Sequence, residues 1–93
     1  MKALFNGAVI AESHRTVVVE GNHYFPPEDV RKEYLEESSH TSTCPWKGQA
    51  AYYHVRVKDR VSENAAWYYP APKEKARHIT GYVAFWKDVR VVE

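Results

Sequence analysis

The chain is poor in the residues that would staple or ligate it. Cys44 is its one cysteine, so no internal disulfide can form, and a zinc site built on four cysteines or on two cysteines and two histidines is excluded. The histidines (His14, His23, His40, His54 and His78) are scattered, with no pair at i,i+4 on a helical pattern, and paired carboxylates at metal-binding spacing are absent. The serine-hydrolase, P-loop and dinucleotide fingerprints are missing as well. No apolar run approaches the roughly 18 residues that cross a bilayer, and "MKALFNGAVIAESHR" lacks the apolar core of a secretory leader. These absences lead to the expectation of a cytoplasmic protein with no membrane partner, no metal and no cofactor. Charge of one sign is lacking too. Thirteen basic and twelve acidic residues leave +1, which argues against generic nucleic-acid binding, since that wants a basic face.

What is present is apolar and aromatic mass: 44% hydrophobic and 14% aromatic residues in 93 positions. A chain of this length buries about 60–65% of its unfolded surface, enough for one compact core. A single domain over 1–93 is expected, with no linker, repeat or low-complexity segment. Periodicity of two dominates. Val17 and Val19 alternate with Thr16, Val18 and Glu20. Ala51, Tyr53, Val55 and Val57 form an apolar face against Tyr52, His54, Arg56 and Lys58. Ala65, Trp67 and Tyr69 oppose Asn64, Ala66 and Tyr68. Around "GYVAFW" both faces are apolar, as a central strand needs. Short strands near Lys2–Phe5 and Val9–Glu12 are joined by Asn6-Gly7, a strong hairpin dipeptide. Helix signals are few. Proline and acids at 26–29 predict one short helix near 27–37, and "KEKARHI" predicts a helical turn near 73–79. The fold class is therefore mainly β, a small antiparallel domain.

Four stretches could carry chemistry. In "TSTCPWKGQAAYYHVRV", Cys44, Trp46 and Lys47 fall within four residues, and Gly48 can bend the chain into the next strand. An ammonium beside a thiol favours the thiolate, so the stretch offers either a Cys44 nucleophile or an anion-binding Lys47. The plain alternative is a buried Cys44 filling a core gap. Tyr52, His54 and Arg56 at i, i+2 and i+4 set a ring, a proton carrier and a cation in one row, either lining a cavity or facing water. Among Trp67, Tyr68 and Tyr69 the alternation sends two into the core and leaves Tyr68 at a pocket rim or packed elsewhere. Glu20, at a strand end before Gly21-Asn22, is either a base or a solvated carboxylate.

The segments "FNGAVIAES", "VVVEGNHYFPPEDV", "TSTCPWKGQAAYYHV", "NAAWYYPAP" and "ITGYVAFWKDVRV" fall in an order that resembles the domain-of-unknown-function family numbered 427, which also carries a nucleotidyltransferase label. The resemblance spans nearly the whole chain. It implies a two-sheet β-tent with a pocket between the sheets, and it puts Tyr24, Pro26, Cys44, Lys47, Gly48, Tyr52, Trp67, Tyr69, Pro70 and Phe85 at the family's characteristic places. Zinc on cysteine pairs, common among relatives of that fold, does not carry over to a chain with one cysteine. The Gly-Ser…Asp-x-Asp arrangement that holds two metal ions in well-understood transferases is absent.

Three readings follow. The first is a module that binds a small anionic or nucleotide-like ligand, phosphate-bearing in one version, through Tyr24, Lys47, Tyr52, His54, Arg56 and Tyr68. The second is an enzyme in the same pocket, using Cys44, Lys47, His54 or Glu20. The third is a protein-interaction module, monomeric or homodimeric, with Tyr68 or Trp86 at its contact face.

Overall fold

The structure, a computed structural model, describes residues 1–93. Antiparallel strands build three sheets. In the first, β1 (Lys2–Phe5) lies between β2 (Ala8–Glu12) and β9 (Arg90–Val92). Asn6 and Gly7 turn the β1–β2 hairpin with φ of 48° and 79°, the left-handed pair that a two-residue turn requires. The second sheet is the hairpin of β3 (Val17–Val19) and β4 (Asn22–Tyr24), turned by Glu20 and Gly21. The third runs β5 (Leu35–Cys44), β6 (Gly48–Val57), β7 (Arg60–Tyr68) and β8 (Val83–Phe85) in sequence order.

The helix expected over 27–37 divides. Residues Pro27–Asp29 and Lys32–Tyr34 form two separate 3₁₀ turns, and Leu35 already begins β5. Between the turns Val30 is extended, bridges Ala11 and is buried, while the Arg31 N–H donates to the Ile10 carbonyl at 2.8 Å. Pairing with β2 thus takes the backbone that a continuous helix would have used, and "LEESSHTSTC" has no apolar stripe to hold a helix in place. The second helical segment, Glu74–Ile79, is also 3₁₀ and buries Ala76 and Ile79. No helix is long and apolar enough to cross a membrane.

The four-stranded sheet is bent across its middle. Opposite Tyr53–Val55 of β6, β7 runs from Ala66 to Ser62, with two residues more than its partner. On the other side β5 runs from Glu37 to Thr41 against Tyr53–Ala51, again with two residues more. Extra residues on both neighbours curl a strand pair and strengthen its twist. The bend lets one sheet serve two cores. Its far part carries Val55, Val57, Ala65, Ala66 and Phe85 against Phe5, Ile10 and Phe25, the larger cluster. Its near part carries Ala50 and Ala84 against Tyr24, Tyr69, Ala76 and Ile79.

Phe25 joins the layers. Its N–H and C=O exchange hydrogen bonds with Val83 at 2.8 and 2.9 Å, so the β3–β4 hairpin continues onto the open edge of β8. Since β8 is then flanked on both edges and both faces, Val83, Ala84 and Phe85 are all buried, as their wholly apolar character required. Phe25 also meets Phe85 edge to face, with centroids 5.6 Å apart. Truncation of Phe25, which is fully buried, removes that contact and opens a cavity; Phe25→Ala should cost about 3–5 kcal/mol in urea unfolding, whereas Val61→Ala, at an exposed position, should stay within about 0.5 kcal/mol.

Candidate functional site

On the face that it turns to the smaller core, the near part of the bent sheet walls a cavity of about 200 Å³. Strand pairing decides which side chains reach it. Tyr52 of β6 lies directly opposite Trp67 of β7, and Trp67 opposite Ala84 of β8. Opposed residues share a face, so Tyr52 and Trp67 form one wall, and Trp86, two residues past Ala84, extends it. The rings of Trp67 and Trp86 meet at 80° with centroids 5.8 Å apart. Tyr24 and Asn22 of β4 form a second wall, and Tyr69 and Lys47 complete the lining. The Trp67 indole N–H donates to the Tyr24 hydroxyl at 3.1 Å, and the two rings meet edge to face. The walls are therefore fixed against each other before any ligand arrives.

Lys47 is the one charged residue of this lining. It sits in the connection 45–47 between β5 and β6, and its side chain is only 6% exposed. Two contacts hold the connection. The Lys73 N–H donates to the Lys47 carbonyl at 2.9 Å, and the Lys73 ammonium donates to the Pro45 carbonyl at 2.6 Å. Gly48 follows with φ of 111°, where a Cβ would meet the Lys73 backbone nitrogen at 3.4 Å. Only glycine takes that conformation without strain, so the bend that turns Lys47 inward depends on it.

The ammonium of Lys47 donates to the carboxylate of Glu20. The Trp46 indole N–H donates to the other carboxylate oxygen at 3.3 Å. The ammonium also lies over the rings of Trp46 and Tyr69, 5.1 and 5.6 Å from their centroids, within the range of cation–π attraction. Burial is the largest single influence on the Lys47 ammonium and pushes its pKa down. The hydrogen bond to Glu20, with Tyr24, Tyr69 and Cys44 nearby, outweighs burial and leaves the pKa raised. Hydrogen bonds from Lys47 and then Trp46 hold the Glu20 carboxyl below its ordinary value, against the opposing effect of desolvation. Burial raises the hydroxyl pKa values of Tyr24 and Tyr69, which keeps both as neutral donors.

Of the sequence-derived candidates, Tyr24, Lys47 and Tyr52 line this cavity, and Glu20 reaches it through Lys47. Cys44 is half-buried, paired with Gly48 across the strand and packed against the smaller core. The remaining three stand outside the cavity. Opposite His54 the extra residues of β7 turn the backbone, with Asn64 at φ 54°, and the Asn64 N–H donates to His54 Nδ1 at 3.0 Å. The bend has engaged that imidazole. Beyond it Arg56 is exposed and paired with Glu36. Tyr68 lies on the other face of β7, stacked on Tyr53 with centroids 4.7 Å apart and planes 16° apart, against the larger core. Simple alternation puts Tyr52, His54 and Arg56 in one row; the two register shifts break that row after its first member.

Of the other lining residues, Asn22 was not singled out, Trp67 and Tyr69 were expected in the core or at the family's characteristic places, and Trp86 at a protein-contact face. The available signal was that Trp and Tyr carry a polar tip on an apolar body and so favour boundaries between core and site. What was missing was the pairing of Tyr52 with Trp67. No three His, Cys, Asp or Glu side chains converge in a way that could hold a metal ion.

A family model described as a domain of unknown function (DUF427) matches residues 1–93. No curated protein matches the chain at a significant level.

Two outcomes test this geometry. Gly48→Ala should lower stability by about 1–3 kcal/mol in chemical denaturation, the cost of a strained backbone conformation. The Glu20–Lys47 contact should depend on acid in a defined direction. Because the folded Glu20 carboxyl lies below its ordinary 4.5, the contact's contribution is fully present above pH 4.5 and is lost as pH falls through the lower, folded value. Tryptophan fluorescence should therefore report, through Trp46, a transition below pH 4.5 that Glu20→Gln lacks.

Proposed function

The chain belongs to the DUF427 family, and we propose that it is a small-molecule-binding domain whose cavity takes a flat heteroaromatic ring, as a nucleoside or nucleotide presents. The observation that carries this reading is the lining itself: five aromatic side chains, Tyr24, Tyr52, Trp67, Tyr69 and Trp86, around about 200 Å³. Apolar and aromatic walls with a few placed polar groups are the usual composition of ligand sites. The polar groups here are the Asn22 amide, the Tyr24 hydroxyl and the Lys47 ammonium.

Size narrows the class. Sites for drug-sized molecules run from about 300 to 1,000 Å³, so this cavity suits one ring system and its substituents rather than an extended dinucleotide. Chemistry narrows it further. A planar ring gains from stacking on indole and phenol faces at about 1–3 kcal/mol per base, whereas an aliphatic ligand gains only from its area. The walls are also braced in advance by the Trp67–Tyr24 hydrogen bond, which lowers the ordering cost of binding.

Trp86 is the member best suited to a test, because it is 47% exposed and its loss leaves both cores intact. Adenosine at millimolar concentration should raise the melting temperature and quench tryptophan fluorescence. Trp86→Ala should weaken that binding by about 1–3 kcal/mol with little change in unliganded stability. No shift and no quench with adenosine, guanosine, cytidine or uridine would overturn the reading.

A further inference from the structure

We propose that Glu20 is a resident counter-ion for Lys47, and that the cavity's ligand carries an anionic group, a phosphate or a carboxylate, that displaces Glu20 from the ammonium. This inference rests on the binding reading above and adds the charge of the ligand and the residue that selects for it.

The two halves of the pair differ sharply. Lys47 is 6% exposed on its side chain, and Glu20 is 53% exposed. A buried ammonium without an anion carries the full cost of its lost hydration, so Lys47 needs some negative partner at all times. Glu20 has no such need. Its carboxylate already stands largely in water, and withdrawing it returns both oxygens to solvent at little cost. The partner that can leave cheaply is thus the exposed one, and the partner that cannot remain bare faces the cavity. The ammonium has three N–H groups in a compact head and accepts phosphate as a point-charge contact. An anion in the cavity would meet it directly, since Lys47 is part of the lining.

The position of Glu20 supports the same assignment. It is the first residue of the β3–β4 turn, with φ of 54°, a conformation that Asn, Asp or Gly meets with less strain than Glu. The β1–β2 turn of the same chain meets the same demand with Asn6-Gly7 and the β6–β7 turn meets it with Lys58, so what sets Glu20 apart is its reach and not its backbone alone. In the β3–β4 turn the Glu20 side chain spans from the hairpin tip to Lys47 and Trp46, a reach that the turn itself does not require. The tip is exposed on both residues, Glu20 and Gly21, so the carboxylate has room to swing out as the anion enters.

The test uses Glu20→Asn, which removes the charge and suits the left-handed turn, with Glu20→Gln as a second variant should the first alter the hairpin. Glu36→Gln is the control: it removes one negative charge from the Arg56 pair, outside the cavity. Binding of inorganic phosphate, adenosine and adenosine monophosphate is measured by calorimetry and by thermal shift in the intact protein. Displacement of a half-exposed partner should leave phosphate and adenosine monophosphate about fivefold tighter in Glu20→Asn than in the wild type, with adenosine unchanged. Glu36→Gln should match the wild type. The inference is overturned if phosphate binds wild type and Glu20→Asn equally, if Glu36→Gln tightens it as much, or if phosphate binds neither protein. Adenosine binding separates the two ideas: retained with no phosphate effect, it leaves the ring-binding reading standing and removes this one. A phosphate effect without adenosine binding does the reverse. Tight adenosine monophosphate with weak inorganic phosphate would identify the anion as part of a nucleotide, and equal affinities would identify it as free phosphate.

Discussion

A single ammonium organises one whole side of this protein. Lys47 is nearly without solvent, and a charge in that position must be met by an anion, by ring faces or by both. The structure supplies both, through Glu20 on one side and Trp46 and Tyr69 on the others. Each supplier imposes a demand of its own. Glu20 must occupy a left-handed turn position. The chain must bend sharply at Gly48 to point Lys47 inward, and the segment 71–73 must close over that glycine. Three separate parts of the sequence, around 20, 47 and 72, are thereby tied to one charge.

The bend in the four-stranded sheet makes the space in which that charge sits. A flat sheet of these strands would have one buried face and one wet one. The paired register shifts around Tyr53–Val55 instead send the far part against the β1–β2–β9 sheet and the near part against the β3–β4 hairpin. Tyrosine and tryptophan supply the large side chains of the near part, while valine and phenylalanine supply most of those of the far part. That difference suits each part to its task. Branched and phenyl side chains interdigitate into a dry core, and hydroxyl- and indole-bearing rings tolerate the boundary with an open cavity.

Much of the fold was legible along the chain. Asn6-Gly7 marked its hairpin, the alternation in 17–19, 51–57 and 65–69 marked strands, and the two apolar faces of 83–85 marked a strand covered on both sides. The long strand Leu35–Cys44 was not legible, because nine of its residues show no apolar alternation and most are exposed. It is a strand because β6 pairs with it. The acids and prolines at 26–29 read as a helix start and open only a 3₁₀ turn, since Val30 is drawn into pairing with Ala11.

For the cavity, local pattern determined that Lys47 would stand on a bent loop leading into the strand that carries Tyr52, while Tyr24, on another hairpin, entered only through the family resemblance. The loop and the strand are consequences of proline and glycine flanking a lysine, and of period two in an extended chain. Only the tertiary structure decided that Glu20, 27 positions away in sequence, answers Lys47. It alone placed Trp67 and Trp86 on the wall and sent His54, Arg56 and Tyr68 elsewhere. The physical reason is that a strand's alternation fixes which residues share a side but not which neighbour meets them, and a shift of register on the adjacent strands reassigns the faces without altering the strand's own sequence.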